Sequence, residues 1–161
     1  MSVTSKPGKD SKQAKPSQEE GFSEVERAAI KDRAAELKSE ARRSKSANKA
    51  AADERDVLAK ISNMAQPDRA LAERLHAVIT ETAPELAPKL WYGQPAWAKS
   101  GKVVCFFRSG QGDKQRYSTF GFSPEAKLDD EQGLWATSFA LAELTEKAEA
   151  TIKRLLRTAL G

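Results

Sequence analysis

The stretch "AWAKSGKVVCFFR", residues 96–108, decides how this chain folds. Ser100-Gly101 stands between two apolar runs and has the chemistry of a two-residue hairpin turn, because glycine accepts the positive φ that such a turn demands. The spacing predicts an antiparallel hairpin with Trp97 opposite Val104. It puts Phe106 and Arg108 on the face of Val104, and Val103, Cys105 and Phe107 on the other. Both faces of the second run are apolar, so it belongs inside a sheet with cover on each side.

Downstream, the Gly-rich "SGQGDK" (109–114) lacks phosphate-loop spacing and leads into a strand, whereas phosphate loops lead into a helix, so it is a hairpin connection. "QRYSTFGF" (115–122) reads as a third strand and "LWATSF" (134–139) as a fourth. Thr145 caps a last helix whose stripe is Ala148, Ile152, Leu155 and Ala159. Upstream lie helices. One carries Val57, Leu58, Ile61 and Met64; the next opens at Pro67 and carries Leu71, Leu75, Val78 and Ile79. Pro84 and Pro88 end the helical region. Helices, then antiparallel strands, then a helix is the segregated order of an α+β domain, with a small sheet of about four strands and helices on one side.

The first third of the chain differs in kind. Residues 1–21, rich in Ser, Lys, Pro and Gln, hold too little apolar surface to offset ordering entropy and read as a disordered tail. Residues 22–48 read as a helical extension, the helix ending near Ser44. It opens on Phe22 and a capping box of Ser23 and Glu26, with a thin stripe of Ile30, Ala34, Leu37 and Ala41. Residues 49–161 form the α+β domain. The net charge of +4 lies wholly in residues 1–50, which hold 12 basic and 8 acidic groups, while the rest is balanced. A neutral domain with a basic extension suits contact with an acidic partner through that extension. No apolar run reaches the ~20 residues of a membrane span, and no secretory leader is visible. The lone Cys105 has no disulfide partner, so the expected location is the cytoplasm.

"PELAPKLWYGQPAWAKSGKVVCFF" (84–107) resembles the YdhG-like family, small bacterial α+β proteins of unknown function sometimes labelled frataxin-like iron chaperones. The resemblance is carried by Tyr92-Gly93, Pro95, the aromatic Trp97, Gly101-Lys102 and the apolar strand. It extends over roughly residues 50–161, including "RALAERLHAVITETAPEL" and "LWATSF" with the helix after it. The resemblance implies a carrier or binding protein and, through the label, iron.

The residues themselves point to a corner at the junction of helix and sheet. Gly93 takes a positive φ, Pro95 fixes its own, and Gln94 before it is driven extended. Trp91, Tyr92 and Trp97 would then project from a stiff bend as a ligand wall, with Gln94, Arg108 and Tyr117 as polar orienters. The competing reading is that the rings plug the end of the core. For a metal, the best carboxylate cluster is Asp129, Asp130 and Glu131. The alternative function is a protein or nucleic-acid interaction module that uses the basic N-terminal tail and helix, with Arg42, Arg43, Lys45 and Lys49 as the residues that would meet nucleic acid. His76 has no metal-spaced companion and reads as a partly exposed structural residue, and Cys105 in mid-strand is too enclosed for a nucleophile. No acid–base or nucleophile constellation stands out, so the expectation is a non-catalytic protein with an unknown small ligand.

Overall fold

The structure, a computed structural model, describes residues 23–43 and 48–161, with the side chains of 41–43 excepted. The tail over 1–21, Phe22, Lys45 and the side chains of Ala41, Arg42 and Arg43 lie outside the described residues. The elements run α1 (Glu24–Arg43), α2 (Lys49–Ser62), α3 (Asp68–Thr82), β1 (Ala87–Trp91), β2 (Gln94–Lys99), β3 (Lys102–Arg108), β4 (Ser118–Phe122), β5 (Ser138–Leu141) and α4 (Glu146–Leu160). The fold is α+β. Its sheet is an antiparallel meander ordered β1-β2-β3-β4-β5, one strand more than the sequence pattern suggests. The additional strand is β1. The helical region ends before Pro84 as expected, but Pro88 lies within β1, which pairs at once with β2, Leu90 facing Pro95 and Trp91 facing Gln94.

Ser100 and Gly101 make the β2–β3 turn with φ of 52° and 83°, pairing Lys99 with Lys102. The expected register then fails by one residue. Ala98 faces Val103, but Trp97 faces Cys105, because Val104 is an extra residue at a bulge. The bulge resets the alternation, so Val103 and Phe106 share one face while Val104, Cys105 and Phe107 share the other. Ser123 holds the bulged segment, its amide donating to the Val104 carbonyl and its hydroxyl to that of Val103.

Helices α2, α3 and α4 supply the cover of the first sheet face. Val57 and Ile61 of α2, Leu71, Leu75, Val78 and Ile79 of α3, and Ile152 and Leu156 of α4 enclose Trp97, Cys105, Phe107 and Phe120. Leu58 is exposed, outside the α2 stripe, and in α4 Leu156 is more deeply buried than Leu155. The Thr145 hydroxyl accepts from the Ala148 amide at 3.1 Å, the cap that begins α4. Among the described residues, no α1 side chain belongs to either hydrophobic cluster. No described helix is long and apolar enough to cross a membrane. The fourth predicted strand is displaced as well. Leu134 is 84% exposed and precedes β5, which starts only at Ser138.

The second sheet face is built differently. Ala96, Ala98 and Val103 form a shallow layer over which Trp91 and Phe106 pack. Gly121 leaves room for the Phe106 ring, which occupies the space where a Cβ would stand. Helix α1 reaches this side of the molecule. Its first residues share a cavity with Arg108, Tyr117 and Thr119, and its last turns meet Lys89 and the turn after β1.

Candidate functional site

Tyr92-Gly93 is the connection between β1 and β2, a two-residue hairpin turn and not a joint between helix and sheet. Both residues have positive φ, 52° and 78°, as a type I′ turn requires. For Tyr92 that conformation carries strain of about 1 kcal/mol. In such a turn the ladder bonds belong to the flanking pair, and the amides of the two central residues face away from the hairpin. Successive outward N–H groups form a small anion-binding concavity. Here a carboxylate fills it. Glu36 of α1 accepts from the Tyr92 amide at 2.9 Å and from the Gly93 amide at 2.6 Å, one oxygen to each.

The rest of α1's docking is also polar. Arg33 lies over the Tyr92 ring, 5.5 Å from its centroid, and is held at 3.5 Å from Glu36 and 3.7 Å from Glu40. Glu40 is bonded at 2.7 Å to the Lys89 ammonium, a buried cation on the second face. Asp32 lies so close to Gly93 that a side chain there would displace it. Between α1, α2 and β1 remains a cavity of about 280 Å³ lined by these acids, by Asp53, Asp56 and Lys60 of α2, and by Lys89. The expected stripe of α1 faces outward instead: Ile30 is 48% exposed and Leu37 51%.

Beside the turn three rings meet in a row. Trp91 and Tyr92 are 5.1 Å apart edge to face, and Trp91 and Phe106 are 5.4 Å apart and tilted. Trp91 and Phe106 are half-buried and Tyr92 is 43% exposed, so the row has an outer surface. Comparison with known proteins finds no matching family model, curated protein or solved structure. The site therefore rests on its geometry.

That geometry divides the expected residues. Trp91, Tyr92 and Gly93 come together, and Gln94 follows them in β2. Trp97 does not join them. It is fully buried on the opposite face, where its indole N–H donates to His76 Nδ1 at 3.2 Å. This removes Trp97 from any ligand wall. Pro95 is sealed in as well, beyond the end of the β2–β3 ladder, where its missing N–H costs no ladder bond. Gln94 approaches the Ser109 amide at 3.4 Å. Arg108 is bonded to Asp113, and with Tyr117 it lines a different cavity, shared with Ser23, Val25 and Glu26. Arg116 stacks over the Tyr117 ring.

The remaining candidates have their own surroundings. His76 must be neutral at Nδ1 to accept from Trp97, and burial lowers its pKa, with Glu54 acting in the opposite sense. Burial pushes the Cys105 thiol far up, so thiolate chemistry is not offered there. Asp129, Asp130 and Glu131 are exposed on a turn in which Asp130 accepts from the Gln132 amide. Among the described residues no three His, Cys, Asp or Glu side chains are grouped to hold a metal ion. Lys49 is paired with Asp53 at 2.8 Å. Glu36, Glu40, Lys89 and Phe106 were not foreseeable as a group. Only the bend expected at Gly93 pointed to their meeting place.

Proposed function

We propose that the protein is a non-catalytic binding protein, a carrier of the YdhG-like type, whose ligand surface is the β1–β2 tip and the sheet face beside it. The row Trp91–Tyr92–Phe106 supports this reading, because three touching rings with an open side rest on small residues where a core would place large ones. A flat, largely apolar ligand is the class such a row accommodates. The proposal favours an organic ligand over iron, since Glu36, Glu40 and Asp53 beside this tip are engaged by the turn amides, Lys89 and Lys49, and Asp129, Asp130 and Glu131 lie on a separate exposed turn.

The three indole N–H signals in a nitrogen–proton correlation spectrum give the test. Titration of the full chain with 2-naphthol should shift the Trp91 signal saturably and leave that of Trp97 in place. Replacement of Phe106 by Ala should weaken the effect at least tenfold. A response that is absent, or equal at all three indoles, would sink the proposal.

A further inference from the structure

The polar docking of α1 poses a question the ring row does not answer. A helix that belongs to a core buries its apolar stripe. Helix α1 turns Ile30 and Leu37 to solvent and presents Arg33, Glu36 and Glu40 to the sheet. This is the manner of a ligand seated on a recognition surface. We propose that the β1–β2 tip is a receptor for a helical segment of a partner protein that presents an Arg and two Glu on one face, and that α1 occupies it in cis as a built-in competitor. The inference rests on the reading of this tip as the ligand surface.

Two parts of the receptor ask for an acid and a third takes a cation. The amides of Tyr92 and Gly93 converge on one carboxylate. Lys89 is buried, and its counter-ion comes from α1, not from the sheet that carries it. A cation so enclosed is strongly unfavourable without an acidic neighbour. The Tyr92 ring takes the guanidinium three residues before the first acid. The partner pattern is thus a helix carrying Arg, then Glu three residues on, then Glu four further, as at Arg33, Glu36 and Glu40. Asp53 and Asp56 of α2 also line the cavity.

The chain contains its own comparison. The turn at Ser100-Gly101 also has two positive φ values, 52° and 83°, yet a Cβ on Gly101 would meet open space, and among the described residues no carboxylate accepts from its two amides. A hairpin turn of this kind therefore stands without a clamped carboxylate. The contact at Tyr92-Gly93 is a recognition event added to the turn. A tethered helix acts at an effective concentration of order millimolar, so a partner in trans displaces it only where the partner's concentration divided by its Kd exceeds the same ratio for the tethered helix.

The probe is a labelled synthetic peptide of residues 23–43, added to the full chain in wild-type form and as the double variant E36A/E40A. Weakening the tethered helix should make the peptide bind the variant at least tenfold more tightly than the wild type, with an affinity that falls as salt rises. A peptide itself carrying E36A and E40A should not bind, and K89A in the variant chain should abolish binding. Should the double variant lose its fold, E40A alone, which leaves the turn contact intact, should show the same trend to a smaller extent. Equal binding to both chains, indifference to the peptide's two glutamates, or no saturable binding to the folded variant each overturns the proposal. If 2-naphthol still binds at Trp91 in that event, the small-ligand function stands and only the helix receptor falls.

Discussion

At the scale of single residues, Trp97 and His76 show how one hydrogen bond links a buried ring to pH. The bond requires neutral imidazole, and burial holds the folded pKa of His76 below its ordinary value near 6.5. Above that pH the histidine is neutral in both folded and unfolded chains. On acidification the unfolded chain takes up the proton first, so stability falls as pH drops from about 6.5 toward the folded pKa. Urea midpoints at pH 7.5 and 5.5 should show this loss in the wild type and a smaller one in H76Q, whose amide oxygen still accepts from Trp97. Glycines give a second prediction. A Cβ at Gly121 would overlap the Phe106 ring, which can tilt away, whereas one at Gly110 would overlap the Tyr117 backbone, which cannot. In chemical denaturation G121A should cost about 1–3 kcal/mol, the range of overpacking, and G110A distinctly more.

At the scale of elements, the capping box of Ser23 and Glu26 forms in both directions, at 2.8 and 3.1 Å, as its spacing predicts. S23A should weaken the start of α1 by about 1 kcal/mol. Because none of the described side chains of α1 belongs to either hydrophobic cluster, E36A should speed amide exchange throughout α1 while leaving α3 and β3 unchanged. Slowed exchange in α1, or loss of protection in β3, would contradict this picture. Much of the fold could be read from local signals, since Gly101, Pro67 and Thr145 each have one dominant structural use. What escaped reading depended on distant partners. β1 is short and carries Pro88 and Lys89, so nothing in it announces a strand until β2 lies beside it. The docking face of α1 escaped for the opposite reason. Charged residues at helical spacing ordinarily mark a solvated surface, and only the Tyr92-Gly93 amides turn these into contacts. Trp97 was misplaced with its neighbours because nearness along the chain does not fix which side of a sheet a ring takes.

At the scale of the whole molecule, two kinds of cohesion coexist. The main cluster is apolar and continuous through α2, α3, α4 and the sheet, and W97A at its centre should cost about 3–5 kcal/mol, a large share of a typical domain's stability. The attachment of α1 is ionic and dipolar. Raising salt to about 1 M, where the Debye length is near 3 Å, should loosen α1 and leave the urea midpoint of the remainder nearly unchanged. The bulge at Val104 has a further consequence for how this molecule could vary among descendants. Excising a residue from within a strand ordinarily inverts every later side chain, trading interior for exterior. Excising Val104 would instead let Val103 and Cys105 stand next to each other with the facing of both already correct, so the sheet could lose one link there and keep its inside and outside intact.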